Sequence, residues 1–326
     1  MEQYDIHNYD RYIVSFSGGK DSTATFLYLL DQGISKDKIE LWHQNIDGYD
    51  RNFFDWAVTA DYCRRFAEAF GVKIYFQWKD GGFYREMMKT NALTAPNCYE
   101  LPDGTVGCSG GTRGEPRTRL RFPQAVADLR TRWCSSYLKI DVCSAAIVNQ
   151  SRFQGIKTLV LSGERGEESP QRAKYAVWEP DRADRRNGKS RRYVDRHRPI
   201  RDWTEAQVWE IIERYRIRVH PCYYMGWSRC SCLFCVFGNK HQFASAACIN
   251  PTGIQEIAKL EQQFKCTIKR KCDILSLIDS GKPYRYITEE LKAIATNYNY
   301  DLPIILSSNE EWILPAGAFG ENCGPV

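Results

Sequence analysis

The stretch Ser17-Gly18-Gly19-Lys20-Asp21-Ser22 has the residue types to hold a phosphate group. Gly18 and Gly19 carry no Cβ, so the backbone can curl with its N–H groups turned inward. A helix starting directly afterwards adds unpaired N–H groups and the positive end of its dipole. Ser17 and Ser22 contribute hydroxyls and Lys20 a point charge. The spacing is not G-x-x-x-x-G-K-[ST], which excludes a Walker loop. An ordinary strand-to-helix turn with a serine cap is the competing reading. Asp21 would repel a phosphate unless it faces a metal ion or caps the helix.

Three other constellations could do chemistry. In Gly163–Arg172, Arg165 and Arg172 can grip phosphate oxygens bidentately, and Glu164 and Glu168 can orient them or hold Mg²⁺. Gly163 and Ser169 belong to the same segment, for which a solvated charged turn is the alternative. Asp47, followed by Gly48, closes an apolar run and offers a carboxylate for ribose or metal, or simply a turn. Cys232 and Cys235 form a C-x-x-C half-site of the kind that binds zinc or an iron–sulfur cluster, with Cys230 and Cys222 just upstream. Free thiols are the third possibility. Cys63, Cys143, Cys248, Cys266 and Cys272 lie in helix-like surroundings and read as small buried residues.

The elements that must position these groups alternate. Apolar β-prone runs at Tyr12–Phe16, Ile39–Gln44, Lys73–Gln77, Lys157–Leu161 and Arg192–Val194 predict five strands. Helical periodicity falls on Ser22–Asp31, Phe53–Phe70, Phe83–Lys89, Pro123–Trp133, Leu138–Gln150 and Glu205–Tyr215, with Gly253–Gln263 and Tyr284–Thr296 further on. Such alternation predicts an α/β fold, a doubly wound, mostly parallel five-stranded sheet with helices on both faces. Its ligand groups belong at the carboxyl ends of the strands. Residues 91–121 read as a long loop. The expected division is a nucleotide-binding domain over 1–219 and a cysteine-rich loop with a helical C-terminal region over 220–326.

The chain has 326 residues, 43 % of them hydrophobic, enough for a substantial core. No apolar run reaches membrane-spanning length, and the start MEQYD does not read as a signal peptide, so a cytoplasmic protein is expected. Thirteen cysteines without an export signal favour metal or redox chemistry over a disulfide framework. The net charge of +5 is modest, but the positive charge is clustered. Residues 112–132 hold six Arg and residues 182–201 hold nine Lys or Arg. Either run suits a nucleic-acid backbone such as DNA, an extra phosphate on a small nucleotide, an acidic protein, or nothing but solvent.

SGGKDS resembles the pyrophosphate loop of the adenine-nucleotide α-hydrolase superfamily. Further segments are similar to its phosphoadenosine-phosphosulfate (PAPS) reductase-like branch. They are Asn45–Gly48, RWCSSYLK (Arg132–Lys139), LSGERGEESPQRAKY, RPIRDWTEAQVW (Arg198–Trp209) and HPCYYMGWSRCSCLFC (His220–Cys235), in family order. The resemblance implies ATP and Mg²⁺ as ligands, with nucleotide contacts from Ser17, Gly18, Gly19, Lys20, Asp21, Ser22, Asp47, Gly163, Glu164, Arg165, Glu168, Ser169 and Arg172. It implies catalytic roles for Lys20, Asp21 and Arg165. PAPS reductases proper usually lack the intact Gly-Gly-Lys-Asp present here. The intact loop therefore implies cleavage of ATP to AMP and pyrophosphate, as in the ATP pyrophosphatases of DNA phosphorothioation, which work with a cysteine desulfurase.

The same resemblance brings Cys134 to the C-x-x-C pair as the other half of an iron–sulfur site, with zinc as the alternative. Cluster-bearing relatives often have Cys-Cys at this position, where this chain has Cys134-Ser135. Cys222 or Cys230 would supply the missing ligand, or three cysteines would leave one iron open for sulfur. A C-terminal Cys323 resembles the tail thiol of PAPS reductases, but Asn322 interrupts the match and an incidental cysteine is the expected reading. Three functions follow: an ATP pyrophosphatase that adenylates an acceptor for sulfur insertion, a thiol-dependent PAPS reductase, or a non-catalytic nucleotide-binding subunit of a phage-defence or modification complex.

Overall fold

The computed structural model describes residues 4–319. The mixed sheet has eight strands in the order β5-β4-β3-β2-β1-β6-β8-β7. Its five central strands are parallel: β1 (Arg11–Ser15), β2 (Ile39–Gln44), β3 (Lys73–Lys79), β6 (Lys157–Leu161) and β8 (Tyr193–His197). These are the five expected from the apolar runs. Three antiparallel strands extend the edges, β4 (Asn97–Glu100) and β5 (Val106–Ser109) beside β3, and β7 (Trp178–Pro180) beside β8. The strand count is therefore eight, not five. The β4–β5 hairpin occupies the stretch expected to be loop, and its opposed Cys98 and Cys108 form a disulfide.

Alternation along each central strand builds two cores. Tyr12, Val14 and Phe16 with Leu41, Leu159 and Leu161 face one layer, whereas Ile13, Trp42 and Val160 face the other. The first layer holds α1 (Lys20–Asp31), α2 (Thr59–Phe70) and α6 (Glu205–Arg214); α6 packs along α1, and Phe26 of α1 meets Phe66 of α2 edge to face. A continuous helical run is made of α4 (Trp133–Ser135), a π-helical turn (Ser136–Ile140) and α5 (Asp141–Val148); its Trp133 and Leu138 join the first core and its Ala146 and Ile147 the second. The helix α3 (Gly82–Met88) follows β3.

Two helix boundaries moved for identifiable reasons. The N–H groups of Phe53, Phe54 and Asp55 all donate to Asp47 Oδ2, so the expected Phe53–Phe70 helix starts only at Thr59. In the expected Pro123–Trp133 helix, Asp128 captures the N–H groups of Arg130, Thr131 and Arg132 and makes a turn instead. Beyond the sheet come α7 (Pro221–Tyr224), the cysteine-bearing loop, α8 (Lys240–Ile249), α9 (Pro251–Phe264), α10 (Ile274–Asp279) and α11 (Glu289–Thr296). No helix among the described residues is long and apolar enough to cross a membrane.

Candidate nucleotide and cysteine site

The central strands β1 and β6 are neighbours, and the chain leaves β1 towards β2 on one side of it while β6 lies on the other. That reversal opens a crevice at their carboxyl ends, the place where open α/β sheets bind ligands. A cavity of about 250 Å³ lies there, walled by the glycine loop, by the loop after β6, and by the start of α6. The two loops meet closely. A Cβ on Gly163 would lie 2.6 Å from the Asp21 carbonyl oxygen, so only glycine lets the chain pass here. Gly18 has φ +77°, a left-handed backbone that carries Gly19 and Lys20 towards the cavity.

Lys20 is buried at the cavity wall. Its Nζ donates to Asp21 Oδ2 at 3.3 Å and to the Ser228 carbonyl at 3.1 Å, and Glu205 Oε1 lies 3.6 Å away. Asp21 also accepts from Arg165 Nε at 2.7 Å. Burial alone would raise Asp21, but the Lys20 and Arg165 charges overcome it and hold the carboxyl below its usual range. Asp21 thus aligns two cations for an incoming anion. Ser22 Oγ donates to the Gly19 carbonyl at 2.9 Å and accepts from Ser17 N–H, which fixes the loop. The Lys20 N–H donates to Tyr223 Oη at 2.8 Å, and the Cys230 N–H donates to the same oxygen at 3.1 Å. One tyrosine hydroxyl therefore ties the glycine loop to the cysteine loop.

In the segment after β6, Glu168 pairs with Arg172. Glu164 lines the cavity as well, and accepts from Arg198 Nε at 2.6 Å. Ser169 Oγ accepts from the Arg172 N–H and does not line the cavity. Asp47 does not line it either. Its Oδ2 organises the Phe53–Asp55 turn, and burial, opposed by these three N–H groups, pushes it up to about 6. Burial and the Asp47 charge push the adjacent Asp55 up to about 7.

The five candidate cysteines divide into two sets. His220, Cys222 and Cys230 bring their ligand atoms within 4.8 Å of one another, a group that could hold a metal ion. Cys230 also lines the nucleotide cavity, and its Cβ lies 3.2 Å from where a Gly19 Cβ would stand. A hydrogen bond from the Cys222 thiol, with His220 beside it, holds Cys230 well below the usual thiol range. In the second set, Cys134, Cys232 and Cys235 all lie near Lys139, whose charge they favour. Burial and the neighbouring Cys235 push Cys134 up to about 11. Among the described residues these three thiols do not form a ligand group as close as that of His220, Cys222 and Cys230. The N₁S₂ set of His220, Cys222 and Cys230 fits a zinc-type ion.

Of the other cysteines, Cys63 is buried as expected, whereas Cys248 is exposed. Cys323 lies outside the described residues. His220, Tyr223, Glu205 and Arg229 join the site without having been singled out in the sequence. Only His220 left a signal, a histidine two positions before a cysteine in His-Pro-Cys.

Strand order, switch-point cavity and cation-lined glycine loop together define a nucleotide-binding α/β protein. The phosphoadenosine phosphosulfate reductase domain family matches residues 64–237, more than half of the chain, and the chain belongs to that family. An uncharacterized 37.8 kDa protein in the gpa 5′ region of Escherichia phage 186 is 27 % identical over 279 residues, covering 79 % of this chain and 76 % of that one. The crystal structure of phosphoadenylyl-sulfate (PAPS) reductase from Candida auris, a phosphate complex, aligns over 67 % of this chain and 79 % of its own, with a TM-score of 0.35 and 14 % identity.

Proposed function

We propose that the chain is an ATP pyrophosphatase that adenylates an acceptor for sulfur incorporation, with the DNA backbone as acceptor and a cysteine desulfurase or similar protein as sulfur donor. The observation that carries this reading is that one cavity joins an intact Gly-Gly-Lys-Asp loop to a cysteine thiol, Cys230. An acceptor oxygen attacks the α-phosphorus of ATP, and the α–β bridging oxygen leaves with pyrophosphate. Lys20 and Arg165, both lining the cavity, face the charge that builds on the leaving group. Asp21 and Glu205 hold these cations in place, so little rearrangement is needed when the anion arrives. Mg²⁺, bound with the nucleotide, supplies further positive charge. Cys134, Cys232 and Cys235 would carry the iron–sulfur cluster and its open position the transferable sulfur.

The test is product analysis with α-labelled ATP and Mg²⁺, with and without DNA. AMP and pyrophosphate are expected, and Lys20→Ala should abolish their release. Unchanged release from that variant would remove the loop from the mechanism.

A second reading, thiol-dependent PAPS reduction, draws on the family match and on one feature of the cavity. Burial and the nearby Arg229 charge both lower Arg172, so two cations face each other there and would suit an extra sulfate or phosphate. Sulfite release from PAPS with a dithiol donor, without AMP release from ATP, would favour it. Turnover in neither assay would leave the non-catalytic subunit.

A further inference from the structure

The two basic runs, alike in sequence, differ in the fold. In the 182–201 run the arginines are largely spent on partners. Arg186 pairs with Asp184 and Asp195, Arg196 with Asp181, Arg198 with Glu164 and Glu179, and Arg182 with Asp141. Arg192 is buried and donates to the Ala183 carbonyl. Arg185, Lys189 and Arg191 are left exposed without an ion pair among the described residues, but they do not line the groove that the other run walls.

The 112–132 run is arranged the other way. It walls a groove of about 570 Å³ between the segment after β5 and the π-helical turn. Lys89 and Arg113, Arg117, Arg119, Arg121 and Arg130 line it, with Glu115 as the one carboxylate. Lys89 and Arg119 share buried Glu86, and Arg130 pairs with Asp128. Six cations less Glu115, Glu86 and Asp128 leave a surplus of three. Lys89 and Arg119 on one Glu86 account for one of these charges, and Arg113, Arg117 and Arg121 against Glu115 for the other two. Arg113, Arg117 and Arg121 are exposed and make no ion pair among the described residues. Arg119, held by Glu86 and lying over the Trp133 and Tyr137 rings at 4.7 and 4.9 Å, forms a rigid floor.

We infer that this groove binds the phosphodiester backbone of a nucleic acid through Arg113, Arg117 and Arg121. Five of the six cations are arginine, whose planar fork matches phosphate oxygens. Tyr137 adds an aromatic ring at the floor, as single-strand and backbone-tracking sites do. The groove also lies where an acceptor would need to be. The same short helical run gives Tyr137 to the groove and Cys134 and Lys139 to the cysteine set, so a bound strand lies one helix away from those thiols. The inference leans on the proposed function only in taking the acceptor to be a nucleic acid, and its test uses neither ATP nor Mg²⁺.

The test is fluorescence anisotropy of the full chain with a labelled DNA duplex of about 20 base pairs across a salt series. Binding should weaken steeply with salt. Arg113→Ser, Arg117→Ser and Arg121→Ser together should lower affinity about tenfold or more, and flatten the log–log salt slope by about 2.7, three phosphate contacts at about 0.9 each. The matched variant Arg185→Ser, Lys189→Ser and Arg191→Ser removes the same charge from the other run and should bind as the wild type does. Absence of DNA binding at low salt would overturn the inference. So would equal losses in both triple variants, which would make net charge the cause. Displacement of the DNA by polyglutamate at equal charge concentration would instead mark a dock for an acidic protein. Circular dichroism of both variants checks that the exposed substitutions leave the fold intact. Wild-type protein that releases AMP from ATP but does not bind DNA would sink this inference alone, and wild-type protein that binds DNA through the three arginines but releases no AMP would sink the pyrophosphatase reading alone.

Discussion

Arg165 Nε donates to Asp21 Oδ1 at 2.7 Å, and this bond ties the loop after β6 to the first turn of α1. Arg165 is 3 % exposed and also faces Glu167 and Glu205. Three carboxylates around one buried guanidinium give it a fixed position at the cavity wall. Removing it leaves Asp21 with Lys20 as its one remaining cation. Arg165→Ala should weaken nucleotide binding by about 30- to 150-fold, the worth of a charge-assisted hydrogen bond of about 2–3 kcal/mol. Arg165→Lys should recover only part of it, because a point charge cannot fork. Isothermal titration with a non-hydrolysable ATP analogue measures both, and wild-type affinity in Arg165→Ala would place the nucleotide elsewhere.

Gly163 is as specific a requirement, for a steric reason. Gly163→Ala puts a methyl 2.6 Å from the Asp21 carbonyl oxygen and 3.0 Å from the Ser22 nitrogen, both backbone atoms. Something must shift, and the usual cost is about 1–3 kcal/mol. A fall in Tm is expected together with weaker nucleotide binding. Gly188→Ala, where the nearest atom lies at 3.4 Å, is the control and should change neither. An unaltered Tm in Gly163→Ala would mean that the two loops sit further apart than described.

What the sequence made legible was local. Tyr12–Phe16 and Lys157–Leu161 are apolar enough to be strands on their own, and their parallel arrangement follows from the helices between them. The edge strands carry no such signal. Trp178–Pro180 is three residues long and ends in proline, which a sheet tolerates only at an edge. Asp47 was legible as a residue at the end of a strand but not as the organiser of the Phe53–Asp55 turn, which depends on where three N–H groups come to lie. The division of the cysteines was equally hidden. His220 joins Cys222 and Cys230 while its Nε2 contacts Thr59 Oγ1, 161 residues away. The arginine runs looked alike because several of the carboxylates that neutralise one of them, Asp141, Glu164 and Glu179, lie outside the run itself.

The two cysteine sets should separate by chemistry. Protein purified without oxygen should be brown with iron and sulfide bound, and Cys232→Ser with Cys235→Ser should bleach it. Cys222→Ser should leave the colour in place, because Cys222 belongs with His220 and Cys230. Visible absorption and metal analysis read the outcome. Loss of colour in Cys222→Ser would join the two sets into one cluster site, and colourless protein with stoichiometric zinc would remove the cluster altogether.

Two buried histidines set the response to acid. His43 lies in the core between the Phe16 carbonyl and Cys63, and His197 stacks on Trp178 at 3.7 Å; burial holds both down to about 4. Above pH 6.5 each is neutral whether the chain is folded or not. Between pH 6.5 and 4 the unfolded chain takes up protons that the folded one refuses, so stability falls as the pH drops, by about 1.4 kcal/mol per pH unit for each histidine. Below pH 4 both forms are protonated and this loss stops growing. His197 Nε2 has no hydrogen-bond partner among the described residues, so a phenylalanine there keeps the stack and removes a buried orphan nitrogen. His197→Phe should therefore match the wild type at pH 7 within about 1 kcal/mol and lose stability less steeply towards pH 5. Urea unfolding at pH 7, 6 and 5 gives the two slopes, and parallel slopes would mean that His197 titrates alike in the folded and unfolded chains.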